Sequence, residues 1–266
     1  MTKMILITGS TDGIGLLTAS KLLELGHKVI VHGRNPSKLE QVKLQLSDKF
    51  GKPVLGYNAD LSSIGETMRL ADQVSMLHGE LDVLINNAGI YSGGDTTTVD
   101  GLDVRFAVNT VAPYILTERL QPIMNPGCRV INLSSAAQAP VDLAALNGER
   151  ALSAGEAYAQ SKLALTMWTR AIAPEHEQQS HMLVSVNPGS LLGSKMVKEN
   201  FGIAGGDMNV GADILVKAAT SEEFASAHGL YFDNDSGRFA NAHPDSLSDD
   251  KCNAVVAAIE SIIQRH

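Results

Sequence analysis

The chain has 266 residues, 44% hydrophobic and 19% charged, an ordinary balance for a globular protein with a sizeable core. A net charge of −8, 21 scattered Lys and Arg and only 5% aromatics disfavour nucleic acid and anionic membranes as partners. No apolar run approaches the roughly 20 residues that span a bilayer, and neither Cys128 nor Cys252 belongs to a CxxC, so a soluble cytoplasmic protein is expected.

Strand-like and helix-like segments alternate from the start. Met4–Thr8 is a short apolar β-type run, Gly13–Leu25 reads as a helix ending at Gly26, and Lys28–His32 is apolar and β-branched again. Ser37–Lys49 has helical spacing, with Leu39, Val42 and Leu46 as its buried stripe. Val54–Asn58 is a third strand, Ser63–Leu77 a helix with a serine to cap it, and Leu81–Asn86 a fourth strand. Then come a long helix at Val104–Leu120, a strand at Cys128–Leu133, a helix at Ala157–Ile172 and a strand at Met182–Asn187. A helix near Val210–Ala219, a strand at Leu230–Phe232 and a last helix around Ser248–Ile263 complete the series. Repeated β–α units with continuously apolar strands mean a parallel sheet covered on both faces. The fold class is therefore α/β, a Rossmann-type doubly wound sheet of seven parallel strands in one domain, residues 1–266. Two segments break the rhythm, about 138–155 and 190–207, the second with four glycines. Ligands in such sheets sit beyond the carboxyl ends of the strands, and both loops are placed there.

Between the first strand and the first helix lies Thr8-Gly9-Ser10-Thr11-Asp12-Gly13-Ile14-Gly15. A phosphate reaches a helix N-terminus only where side chains are absent, and there free N–H groups and the helix dipole favour anions. Gly9 suits the tight turn, Gly13 the close backbone approach and Gly15 close packing of the helix. The spacing is Gly-x-x-x-Gly-x-Gly rather than the commoner Gly-x-Gly-x-x-Gly, and with it the chain resembles the short-chain dehydrogenase/reductase family. Further matches follow in order: Asp60-Leu61, Asn86-Asn87-Ala88-Gly89, Asn109, Ser134-Ser135, Tyr158-Ala-Gln-Ser-Lys162 and Asn187-Pro188-Gly189. The resemblance implies that Asp60 and Leu61 hold the adenine ring, that Asn87, Ala88 and Gly89 line the cofactor, and that Pro188 and Gly189 turn beneath the nicotinamide.

Cofactor choice is read at the end of the second strand, where an enzyme for NAD places a carboxylate on the adenosine ribose. The segment here is Val31-His32-Gly33-Arg34-Asn35, without an acid. Arg34 offers a planar cation suited to a 2′-phosphate, with Ser10, Thr11 and Asn35 adding hydrogen bonds, so NADP(H) is expected over NAD(H).

Tyr158 and Lys162 are four apart and share one helix face. Reducing a carbonyl needs a hydride on carbon and a proton on oxygen, and a free phenol titrates near ~10. Bringing it toward neutrality takes roughly 4 kcal/mol, about what one nearby cation gives at intermediate dielectric, and Lys162 supplies that charge. By the resemblance Lys162 also holds the nicotinamide ribose, and Asn109 positions a water linking Lys162 to solvent. Tyr158 is then acid in reduction and base in oxidation. Ser135, matching the second serine of the family motif, hydrogen-bonds the substrate oxygen.

Two departures from the family pattern stand out. A threonine usually follows Pro-Gly to bind the carboxamide, and here Ser194 is its candidate replacement. The stretch from Ser135 to Tyr158 is longer than in compact members. That insertion, Tyr-x-x-Ser-Lys-Leu-Ala and the ending Gly229-Leu230-Tyr231-Phe232-Asp233 resemble the retinol-dehydrogenase-like branch, which implies a lipophilic aldehyde, ketone or alcohol as substrate. The resemblance also raises a homodimer through the Asn109 and Tyr158 helices. No metal is expected: Asp233–Gly237 only faintly matches a calcium loop, since Pro244 stands where its glutamate belongs. The alternatives are a dinucleotide-sensing regulator that kept the fold, and a nucleotide-sugar epimerase or dehydratase sharing Tyr-x-x-x-Lys.

Overall fold

A computed structural model of the chain describes residues 1–92 and 96–266. Its sheet has eight strands in the order β3-β2-β1-β4-β5-β6-β7-β8. They are β1 (Met4–Ile7), β2 (Lys28–Gly33), β3 (Leu55–Asn58), β4 (Leu81–Asn86), β5 (Met124–Leu133), β6 (Met182–Asn187), β7 (Leu230–Asp233) and β8 (Arg238–Ala240). The first seven pair in parallel, as the sequence predicts, and β8 adds an antiparallel edge to β7. This eighth strand follows the turn at Asp233–Gly237, whose Gly237 has φ +68°. An Asp-Ser-Gly turn between two short apolar runs is a hairpin signal, so β8 was readable in principle.

Register explains the two cores. Leu6 lies opposite both Ile30 and Leu84, Leu84 opposite Val130, and Val130 opposite Leu183. Residues in register point to the same face. On that face the row is buried by α3 (Ile64–Leu77), α5 (Ala112–Leu120), α7 (Ala154–Gln178) and α10 (Asp249–Gln264). The alternate residues, Ile5, Ile7, Val29, Val31, Val83, Ile85 and Val184, meet α1 (Gly13–Glu24), α2 (Pro36–Phe50) and α9 (Met208–Thr220) on the other face. The chain runs outward from β1 to β3 and then returns to lay β4 on the other side of β1. That reversal leaves a crevice at the carboxyl ends of β1 and β4.

The helix expected at 104–120 is interrupted. It runs as α4 (Val104–Phe106), a π-helical turn at Ala107–Val111, and α5. Pro113 has no N–H for the carbonyl of Asn109 four residues earlier, which breaks the α-helical ladder there. Helix α7 begins earlier than its apolar pattern, because Ser153 and Glu156 form a capping box. It also continues past Pro174. Within the two segments first read as loops lie α6 (Leu143–Leu146), capped by Asp142, and α8 (Lys195–Phe201), capped by Ser194.

The C-terminal helix packs on α5 and α7. Cys252, Val255, Ile259 and Ile262 of α10 are buried in the core that contains α5 and α7. The Tyr114 hydroxyl donates to Glu260 at 3.0 Å, and Arg170 pairs with Asp249 at 3.2 Å. Within the single chain every residue of Ala112–Thr117 and Ser161–Thr169 is buried. Among the described residues no helix is long and apolar enough to cross a membrane.

Candidate active site

The glycine loop sits at the crevice. Gly9 has φ +62°, and a Cβ there would lie 2.8 Å from the Cα of Ala88, so only glycine fits where β1 and β4 end. Gly13 has φ +53° and open space beside it, as a docking phosphate requires. A Cβ on Gly15 would collide with the side-chain amide of Asn87. That amide donates to the carbonyls of Thr8 (2.8 Å) and Gly9 (3.0 Å), and the Ala88 N–H donates to the Thr8 hydroxyl at 3.0 Å. Asn87 and Ala88 thus brace the loop from the end of β4. Ile14 is half-buried behind it, and Asp12 caps α1 while pairing with Lys38.

The second-strand end matches expectation in part. Arg34 is exposed and has no ion-pair partner among the described residues. Asn35 caps α2, its Oδ1 accepting from Lys38 N at 2.9 Å, which leaves its NH2 group to donate elsewhere. Thr11 packs on Gly33, where a Cβ would lie 2.5 Å from its methyl group. Ser10 requires a correction. It is fully buried, its hydroxyl donates to Ile7 O at 2.8 Å and accepts from His32 N at 2.9 Å, and its side chain is not available to a 2′-phosphate. After β3, Leu61 is buried, and Asp60 Oδ1 accepts from both the N–H and the hydroxyl of Ser62, shaping a tight turn.

Across the crevice, α7 presents Tyr158 and Lys162. Burial pushes the pKa of the Tyr158 phenol up, outweighing the nearby Ser135 side chain, which pulls it down. The two serines that end β5 separate cleanly. Ser134 is buried, 2.7 Å from the Thr166 hydroxyl, whereas Ser135 is half-exposed and meets the phenol. Lys162 is buried, and its ammonium donates to the Leu133 carbonyl at 2.7 Å, 5.8 Å from the centre of the Tyr158 ring. Burial brings the Lys162 pKa down to about 8. The lowering of the phenol expected from Lys162 is therefore not seen: the cation faces a carbonyl, and desolvation dominates the tyrosine.

Asn109 is a clamp. Its Oδ1 accepts from Ile90 N (2.8 Å), and its amide donates to Ile90 O and the Ser161 hydroxyl, both at 3.0 Å. Thr110 adds a bond to Ser161 O at 2.8 Å, so the π-turn is latched both to α7 and to the segment after β4. A Cβ on Gly89 would sit 3.5 Å from both Lys162 Nζ and Asn109 Oδ1, which puts Gly89 at their junction.

Several participants were missed by sequence reasoning. Tyr91 places its ring 4.9 Å from that of Tyr158, and its carbonyl accepts from the buried Arg105, itself forked onto Asp103. The turn at Asp233–Gly237 is a brace for the Pro188-Gly189 segment. Asn187 donates to Asp233 (2.8 Å) and Asp235 (2.9 Å), Ser190 N donates to Asp235 at 2.8 Å, and Asn234 donates to Pro188 O at 2.9 Å. Burial opposes ionisation of both carboxyls, but these bonds outweigh it and hold them below the ordinary carboxylate range. Beyond the brace, Ser194 accepts from Val197 N to start α8, and its hydroxyl proton remains free to donate. The base of this loop is stapled by Gly193 N to Gly206 O (2.7 Å) and Gly206 N to Leu191 O (2.9 Å), with Leu191 held at φ +51°, a strained value for a side-chain-bearing residue.

A family model for short-chain dehydrogenases matches residues 3–202. Short-chain dehydrogenase chry4 of Gibberella zeae is 32% identical over 264 residues, covering 97% of this chain and 96% of its own. Retinol dehydrogenase 12 of Bos taurus is 31% identical over 204 residues, 75% of this chain and 64% of its own. Among solved structures, the RhlG/NADP active-site complex of Pseudomonas aeruginosa matches with a TM-score of 0.71 at 25% identity, covering 87% of this chain and 94% of that one.

Proposed function

The chain belongs to the short-chain dehydrogenase/reductase family, in its retinol-dehydrogenase-like branch, and from that premise we propose that it transfers a hydride between NADP(H) and a lipophilic aldehyde, ketone or alcohol. The observation that carries this reading is the buried Lys162 one helical turn from Tyr158, its ammonium bonded to the Leu133 carbonyl at 2.7 Å and 5.8 Å from the centre of the Tyr158 ring. When bound, the nicotinamide supplies or accepts the hydride. The protein's part is the proton. With its pKa raised by burial, Tyr158 keeps its proton at neutral pH and can deliver it to a carbonyl oxygen held by Ser135. Lys162, through its ammonium, would hold the sugar of the bound cofactor beside the tyrosine, and Asn109 keeps the α7 face in register with Gly89 and Ile90.

Arg34, exposed at the end of β2 where no acid stands, supports NADP(H) over NAD(H), and the free amide of Asn35 lies beside it in sequence. A lipophilic substrate is favoured by the likeness to a retinol dehydrogenase and by exposed Leu191 and Ile203 on the loop that follows Gly189. The two free, buried thiols Cys128 and Cys252 fit a reducing cytoplasm. The test is oxidation of NADPH and NADH against a panel of apolar aldehydes and ketones. Turnover with NADPH is expected; dinucleotide binding without turnover of any carbonyl would favour the regulator instead.

A further inference from the structure

His32 lies in β2, two residues before Arg34, and is 2% exposed, so its ring must find partners inside the fold. Both nitrogens do. The N–H of Gly9 donates to Nδ1 at 3.1 Å, and Nε2 lies 3.1 Å from the carbonyl of Ala59. These partners fix the tautomer: an amide N–H cannot accept and a carbonyl cannot donate, so Nδ1 is bare and Nε2 carries the proton. Burial, outweighing the Ala59 bond and the nearby Asp60 charge, brings the pKa to about 4, so the ring is neutral at working pH.

The ring spans three segments. Gly9 belongs to the glycine loop, His32 itself leads into Gly33 and Arg34, and Ala59 immediately precedes Asp60-Leu61. On the dinucleotide reading, on which this inference rests, these segments face the pyrophosphate, the 2′-phosphate and the adenine. Ser10 N donates to His32 O at 2.9 Å and His32 N donates to the Ser10 hydroxyl, so backbone bonds already join the first two. The ring extends that link to Ala59 and also sets the orientation of the Gly9 peptide. We propose that His32 is a positioning residue for the dinucleotide: from beneath the site it fixes the glycine loop relative to the adenine loop and so sets cofactor affinity.

The test compares full-length His32→Phe, His32→Asn and His32→Gln with the wild type. Each is measured for NADPH affinity by fluorescence titration, for urea midpoint, and for kcat and KM with respect to NADPH. Phenylalanine keeps the ring's bulk and loses both bonds; asparagine keeps an acceptor near the Nδ1 position; glutamine keeps a donor that reaches toward Ala59 and loses that acceptor. His32→Phe is expected to weaken NADPH binding about tenfold or more, as loss of two hydrogen bonds implies. The rise in KM should exceed any fall in kcat. His32→Asn should recover most of the affinity, and His32→Gln should recover less at a similar urea midpoint. Phe binding NADPH within about twofold of wild type would overturn the proposal. So would affinities that merely follow the urea midpoints across all three variants. A wild-type chain that bound neither NADPH nor NADH would overturn the functional reading together with the proposal.

Discussion

Replacing Lys162 by methionine is expected to abolish turnover and yet stabilise the folded chain at pH 7. The lysine is 4% exposed, and burial brings it to about 8 from the 10.5 of an ordinary lysine. Carrying its charge in the folded state at pH 7 therefore costs roughly 3 kcal/mol. Between those two values the unfolded chain binds a proton that the folded chain does not. The penalty is thus complete below about pH 8 and fades as pH rises toward 10.5. Opposing it is the 2.7 Å bond to the Leu133 carbonyl, whose loss costs about 1.5–3 kcal/mol for a charged donor. The net gain at pH 7 is on the order of 1 kcal/mol. By pH 10 most of the penalty is gone from the wild type and the folded amine is neutral, so the gain falls toward zero. Urea unfolding at pH 7 and pH 10, followed through the single buried Trp168 on the same helix, reads this directly. A stability difference between variant and wild type that stays constant with pH to within about 0.5 kcal/mol would refute the assignment of a charge-burial penalty to Lys162.

Three further outcomes are expected. Tyr158→Phe should lower kcat by about 10²–10⁴, the usual contribution of a positioned acid, while NADPH affinity by fluorescence titration changes little; unimpaired turnover would remove Tyr158 as the acid. Arg34→Asp should shift the ratio of kcat/KM from NADPH toward NADH, and an unchanged ratio would take Arg34 out of cofactor selection. Asp235→Ala removes the bonds to Asn187 and Ser190 and should raise the KM for NADPH several-fold, with about 0.5–1 kcal/mol of stability lost in urea unfolding, since the carboxylate is exposed to solvent. Because its carboxyl is held below the ordinary range, that difference should be full at neutral pH and shrink as pH falls through the carboxylate range.

The fold was legible because its information is local. The short, continuously apolar runs of the strands and the 3.6-residue stripes of the helices declare themselves within each segment, and in α2 the buried residues Leu39, Val42 and Leu46 are those of the pattern. What escaped depends on distant partners. Helix α7 starts where Ser153 and Glu156 cap it, a signal present in the sequence but outside its apolar stripe. Helix α8 is only seven residues long and is held by the Gly193–Gly206 staple at its base, which no local pattern announces.

The site divides along the same line. Gly9, Gly13, Asn87, Ser135, Tyr158 and Lys162 form a linear order that could be read before any geometry was known. The residues that hold them could not, because their roles are decided by what they meet. Ser10 reads as a donor for phosphate until Ile7 and His32 are found to occupy its hydroxyl. Asp235 reads as a turn residue until Ser190 and Asn187 are found bonded to it, 45 and 48 positions away. Lys162 shows the most consequential gap. Spacing puts it one turn from Tyr158, but the depth of burial, invisible in the sequence, decides which side chain is perturbed more plainly: the lysine falls to about 8 while the tyrosine rises. The pair is a buried cation bonded to Leu133 beside a protonated phenol near Ser135. A ribose hydroxyl offered to Lys162 would compete with the Leu133 carbonyl for the ammonium, so cofactor binding and the acid–base state of this pair are coupled through one lysine.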